Sequence, residues 1–127
     1  APVLWAEAGL GPQDMDVVGV YDDYPAMAVA QLCDLGLAPA DDPPGFIARR
    51  IATRELPVNT AGGQLSAGQA GTAGGMHGLA EVARQLLGRA GARQVAGARH
   101  GVATGYGMVQ LRYGMCANAA VLAREDA

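Results

Sequence analysis

The pattern of apolar and polar positions names most of the elements. Val17-Val18-Gly19-Val20 is an unbroken apolar run between the acidic Asp14 and Asp16 and the stretch Tyr21-Asp22-Asp23. A short parallel strand buried on both faces reads this way. Ala26 to Leu35 (AMAVAQLCDL) is apolar nearly all round, the pattern of a helix buried between layers. Pro25 suits its first position, and Gly36 stops it. Met76, Leu79, Ala80, Ala83, Leu86 and Leu87 recur at helical spacing and predict a helix over Met76 to Leu87. Gly88, Gly91 and Gly97 then mark a connection. Val102-Ala103-Thr104 and Ala119-Ala120-Val121-Leu122 read as two strands joined by a long turn from Gly105 to Gly114. Ala1 to Gly9 has helical character, ended by Gly9 and Gly11-Pro12. Ala38 to Gly45 (APADDPPG) is a turn-rich surface loop with a solvated acidic pair, and Phe46 to Thr53 forms one or two helical turns exposing Arg49 and Arg50. The order strand, helix, loop, helix, strand, strand gives an α/β layer fold.

One stretch fits neither period. Asn59 to Gly75 (NTAGGQLSAGQAGTAGG) is built almost wholly of Gly, Ala, Ser and Thr and has too little apolar surface to pack as one helix or strand. A flexible linker has a similar composition. Against that reading, Gln64, Leu65, Ser66 and Gln69 interrupt the run and a helix follows at once. Glycine allows close backbone approach, and a helix start offers free N–H groups to polarised oxygens. A site loop is the favoured reading.

Composition narrows the classes. The chain has 127 residues, one domain by length, with 50% hydrophobic residues but only one Trp, one Phe and four Tyr. Its core must therefore be Ala, Val, Leu and Met. A net charge of −3, with all nine basic residues Arg, argues against nucleic acid. No apolar run approaches the roughly 20 residues of a membrane span. Ala1 to Gly9 lacks a basic end and contains Glu7, unlike a secretion signal. Cys33 and Cys116 are too few for a disulfide framework, which fits a reducing cytoplasm. Neither His77 nor His100 has a Cys or acidic partner at ligand spacing, so no metal is expected.

The segment NTAGGQLSAGQAGTAGGMHGLAEVARQLLG resembles the thiolase-superfamily motif N-x-x-G-G-x-x-x-x-G-H-P-x-G-x-x-G and its following helix. The resemblance continues through GARQVAGARHGVAT to the end. Upstream, DMDVVGVYDDYPAMAVAQLCDLGL is similar to that family's strand, acidic motif and helix. It is nearest the lipid-transfer (sterol carrier protein) branch, steroid side-chain aldolases included. It covers nearly all of the chain, but only the C-terminal half of a thiolase subunit. The implied fold is a thiolase-like α/β half, a mixed sheet packed on helices. The implied partners are an N-terminal thiolase half or a second thiolase-like chain, a homodimer mate, and a small OB-fold protein. A CoA thioester enters as substrate and no cofactor is implied.

In that family this half supplies an Asn or His at the strand end, the His of G-H-P, and a Cys that moves the α-proton. Here Tyr21 stands at the first position, Gln69 at the second and Tyr106 at the third. Gln cannot titrate but can donate to an oxyanion. A tyrosine can move a proton if a donor or positive field helps it ionise. Decay of the site is the competing reading; the intact glycine framework favours altered chemistry. Asn59, Gly62, Gly63, Ser66, Gly68 and Gly71 are the expected thioester-binding residues. Cys116 reads as a buried, inert core cysteine and His77 as a packing residue. Asp22 and Asp23 could form a carboxylate pair, but acids at a strand end more commonly bond to backbone N–H groups.

The implied activity is making or breaking a C–C bond beside a CoA thioester. Retro-aldol cleavage of a β-hydroxyacyl-CoA fits Tyr and Gln, because it needs a base and enolate donors but no acyl-enzyme. Acetyl-CoA acetyltransferase chemistry would require a Cys from the missing half. A non-catalytic acyl-CoA- or lipid-binding subunit is the third reading.

Overall fold

The computed structural model describes residues 1–68, 71–111 and 113–125. A three-stranded mixed sheet in the order β1-β2-β3 carries helices on both faces. β1 (Val17–Gly19) runs parallel to β2 (His100–Gln110), and β2 pairs antiparallel with β3 (Tyr113–Ala123). Val58 adds a single parallel bridge on the free side of β1, so β1 lies inside the sheet. That position explains its unbroken apolar run, for all three of its residues are buried.

The alternation along β2 separates two cores. Val102 joins Val18, Val20, Leu32, Leu35 and Phe46 on one face, beneath α1 (Pro2–Ala8) and α2 (Pro25–Asp34). Ala103 joins Val17, Val82, Leu86 and Ala98 on the other, beneath α5 (His77–Leu86). Burying one such valine or leucine contributes about 1.5–3 kcal/mol. Gly9, at φ 64°, ends α1 in the left-handed conformation that glycine adopts without strain. The Trp5 indole then ties α1 to the end of α2 by donating to the Leu35 carbonyl at 3.0 Å. Pro25 occupies the first turn of α2 and Gly36 follows its end at φ 76°.

Several expectations are corrected. The turn expected over Gly105 to Gly114 is mostly strand: β2 continues to Gln110 and β3 begins at Tyr113. Ladder hydrogen bonds join main chains and need no side chain, so Gly105 and Gly107 pair with Asn118 and Cys116 without bending the strand. Tyr106 therefore lies within a long hairpin, opposite Ala117, and not at a strand tip. The buried face of α5 is also rotated from the expected one. Leu79 and Leu86 of the expected set pack on the sheet with Val82; Glu81 and Gln85 are buried beside them, and Met76, Ala80 and Leu87 are exposed.

In α2, Gln31 and Leu32 are buried but Ala26 and Ala30 are exposed, so this helix is covered on one side only. Asp42 is more than solvated: it caps α3 (Pro43–Phe46) by accepting from the Gly45 N–H and pairs with exposed Arg49. Hydrogen bonds from Arg49 and Gly45 lower its pKa. A single π-type turn, Ile47–Ile51, prolongs α3. No helix of the described residues is long and apolar enough to cross a membrane.

Candidate functional site

The Gly-rich segment folds as two short pieces: α4 (Gly63–Ala67), then a 3-10 stretch (Gly71–Met76) that leads into α5. Gln69 lies outside the described residues. The segment begins against the end of β1, and side chains hold that junction. Asn59 sits at φ 49°, a left-handed conformation that asparagine tolerates better than most residues. Its side-chain oxygen accepts from Val20 N–H at 2.9 Å and its amide donates to the Val20 carbonyl at 3.0 Å. The Asn59 amide thus acts as a piece of strand beside Val20.

On the other side, the Tyr21 N–H donates to Thr104 Oγ1 at 3.1 Å. Asp22, buried, accepts the Gln64 N–H at 2.7 Å and so caps the start of α4. Gly63, at φ 65°, leaves room for that carboxylate; a Cβ there would collide with it. Asp23 accepts from the Tyr24 N–H. Both acids bond to backbone, as expected for a strand end.

Tyr106 shares a face of β2 with Thr104, two residues back, and both tyrosines are half-buried. Tyr21 is thus bonded through its main chain to Thr104, two residues before Tyr106 on β2. Neither cysteine stands there. Cys33 is half-buried on α2. Cys116, expected in the core, is exposed: it lies on β3 opposite Gly107, in the stretch 115–118 that is exposed on both faces of the strand. The remaining expected residues line the segment. Gly62 (φ 89°), Ser66 and Gly68 (φ 96°) are exposed, and Gly71 opens the 3-10 stretch. Asn59, Thr60 and Gly62 also border a cleft of about 560 Å³ that neither tyrosine lines.

Two buried polar atoms flank the segment without a hydrogen-bond partner among the described residues: Gln64 Oε1 and His77 Nε2. Leaving such an atom unpaired costs about 1–3 kcal/mol. The packing role expected for His77 fits its half-buried place but not its unmet nitrogen.

Beneath the segment lies a polar cluster that the sequence reading missed. Glu81 accepts from Arg93 through Nε and Nη2 (3.2 and 3.1 Å), from the Thr60 hydroxyl (2.8 Å) and from Gln85 (3.2 Å). Fully buried Gln85 donates one amide proton to the Arg93 carbonyl at 2.8 Å, shares the other between Glu81 and Thr60, and accepts from Val95 N–H. Burial pushes the Glu81 carboxyl up, but the hydrogen bonds from Arg93, Thr60 and Gln85 and the charge of Arg93 outweigh it and hold its pKa below the ordinary value. The missed signal was the i, i+4 spacing of Glu81 and Gln85 among apolar neighbours. Gln31, the lone amide in AMAVAQLCDL, was a second one. No group of three or more metal-binding side chains occurs among the described residues.

The profile of a known family, thiolase C-terminal domain-like, matches residues 3–123. The chain belongs to that family. The thiolase-like domain is 39% identical over 104 residues, 80% of its length, to 17-hydroxy-3-oxo-4-pregnene-20-carboxyl-CoA lyase of Mycobacterium tuberculosis. It is 39% identical over 88 residues, 67% of its length, to steroid side-chain-cleaving aldolase of Thermomonospora curvata. To rat sterol carrier protein 2 it is 34% identical over 97 residues, 75% of its length. These matches span only 26%, 22% and 18% of the three relatives. The solved structure of an Ltp2-ChsH2(DUF35) aldolase superposes on 96% of the thiolase-like domain with a TM-score of 0.77 at 26% identity, over 30% of that chain.

Proposed function

We propose that the chain forms the C-terminal half of an acyl-CoA lyase that cleaves a C–C bond beside the thioester by a retro-aldol route. The observation that supports this reading is the bond from Tyr21 N–H to Thr104, which shares a face of β2 with Tyr106, while Cys116 lies on the opposite face and Cys33 on α2. Tyr106 takes the proton of the β-hydroxyl, the β-carbon becomes a carbonyl, and the Cα–Cβ bond breaks. Its electron pair passes to the α-carbon as the thioester enolate, which is then protonated. Gln69, the main chain of Asn59, Gly62, Gly63, Gly68 and Gly71, and the Ser66 hydroxyl hold the thioester and its developing negative charge. Tyr21 orients the hydroxyl. The unmet Gln64 and His77 atoms support a site completed by other groups. The lyase and aldolase activities named for the M. tuberculosis and T. curvata relatives support the reaction class and a steroid-like acyl group.

The exposed Met76 and Leu87, which flank α5, support a working form in which a thiolase-like N-terminal half, or a second such chain, covers this helix. A homodimer, a small OB-fold partner and a cytoplasmic setting complete the proposal; the composite name of the Ltp2-ChsH2(DUF35) aldolase supports an assembly with partner chains.

The test incubates the assembled protein with a β-hydroxyacyl-CoA. Release of a ketone and a shortened acyl-CoA without added free CoA supports the lyase. Turnover of a β-ketoacyl-CoA only when free CoA is supplied would replace it with thiolase chemistry. Tight binding with no turnover of either would make the chain a binding subunit.

A further inference from the structure

The main-chain register of β1 with β2 runs from Val17↔Gly101 to Gly19↔Ala103 and no further. Tyr21 lies beyond it, and side chains hold its main chain. Its N–H donates to Thr104 Oγ1 at 3.1 Å, and its carbonyl accepts from Gln31 Nε2 at 2.7 Å. The Thr104 hydroxyl has one proton and donates it to Gln31 Oε1 at 2.6 Å, so it must accept from Tyr21. Gln31 Nε2 also donates to the Met27 carbonyl at 2.9 Å, which uses both of its protons. Tyr21, Thr104 and Gln31 thereby close a ring in which each donor has one assigned acceptor. Gln31 is 9% exposed, so solvent offers little replacement for a lost bond.

We infer that Thr104 and Gln31 are positioning residues that fix Tyr21 to β2, the strand that carries Tyr106, an inference that rests on the lyase reading above. Thr104 carries both ends of this relationship: its hydroxyl holds Tyr21, and its main chain is two residues from Tyr106 on the same face of β2. A sheet ladder would hold Tyr21 through main chain alone, indifferent to side-chain identity. The ring instead ties α2, the end of β1 and β2 together at one point. Slack there moves Tyr21 relative to β2, and a misplacement on the order of 1 Å is enough to cost about 100-fold in rate.

The test uses the assembled protein carrying Thr104→Val, which keeps the side-chain shape and removes the hydroxyl, and Thr104→Ser, which restores it. In the Val variant kcat should fall about 10- to 100-fold, with acyl-CoA affinity within about twofold of wild type. The Ser variant should recover most of the loss. Exchange of the Tyr21 amide hydrogen should quicken with Val and slow again with Ser. Gln31→Met provides a second break in the ring, with the same split expected. Unchanged kcat in both Thr104→Val and Gln31→Met overturns the inference, as does an equal loss in affinity, rate and thermal stability. If the wild-type assembly turns over no β-hydroxyacyl-CoA, the lyase reading fails by itself. Amide exchange then decides the ring separately: unchanged Tyr21 protection in the Val variant overturns it, and lost protection restored by Ser upholds it.

Discussion

Gly19 and Gly78 meet backbone to backbone, where α5 crosses the end of β1. A Cβ built on Gly19 would lie 2.9 Å from the Gly78 carbonyl oxygen, 3.1 Å from its Cα and 3.1 Å from Val82 Cγ2. A Cβ on Gly78 would lie 3.4 Å or more from Gly19. The contact is therefore asymmetric, and it sets how close the helix that follows the Gly-rich segment stands to the strand that leads towards Tyr21.

Gly19→Ala should destabilise the protein by about 1–3 kcal/mol, because helix backbone cannot move aside as a side chain would. Gly78→Ala should be near neutral, its modest crowding offset by up to about 1 kcal/mol of helix propensity. Urea denaturation of the two variants checks the asymmetry; equal losses would contradict it.

A comparable contrast separates Gly63 from Gly68. Both have positive φ, 65° and 96°, but only at Gly63 does a Cβ collide, with the Asp22 carboxylate. Gly63→Ala should displace Asp22 from the start of α4 and weaken acyl-CoA binding at least tenfold, on the order of 1.4 kcal/mol. Gly68→Ala meets open space and carries backbone strain alone, so its effect on affinity should be the smaller. Titration of acyl-CoA binding to each variant decides the order.

Glu81 has a folded-state pKa below the ordinary glutamate value of 4.5. Its hydrogen-bonded cluster therefore stabilises the fold above that value, and the contribution is lost as pH falls through the folded pKa. Denaturation midpoints followed from neutral pH to about pH 3 should decline below 4.5, and the Glu81→Gln variant should show a shallower decline. Identical pH profiles would remove Glu81 from the acid response.

Tyr106→Phe keeps the ring on β2 and deletes the hydroxyl. Under the lyase reading, kcat should fall by roughly 100-fold or more, the scale for losing a general acid or base, while acyl-CoA binding survives. Full activity would move the base elsewhere, with Tyr21 the first alternative.

Much of the fold was legible because its signals are local. The run VVGV can only be buried on both sides, Pro25 and Gly36 bracket α2, and Gly9 ends α1. The hairpin was misread because glycine is a turn signal over a short window. Whether Gly105 and Gly107 turn or extend depends on a strand partner that sequence proximity does not reveal. The face of α5 was misread for a related reason. Helical spacing joined Leu79 and Leu86, which pack on the sheet, with Met76, Ala80 and Leu87, which do not; the close Gly19–Gly78 approach turns Val82 inward with the first pair.

The sequence by itself determined β1, α1, α2, α5 and the apolar core of the sheet, and a family resemblance on which Asn59, Gly63, Tyr21 and Tyr106 could be aligned. Hydrophobic period, glycine and proline positions and short motifs all act within a few residues, so they survive without coordinates. Tertiary structure decided the rest. Thr104 holds Tyr21 from 83 residues away, Asp22 holds Gln64 from 42, and Asn59 holds Val20 from 39. Such bonds depend on which strand ends the fold brings together and on where buried polar atoms find partners. One amide or hydroxyl in a sequence looks the same whether it caps a helix, extends a strand or faces water; burial and the atoms opposite it make the difference.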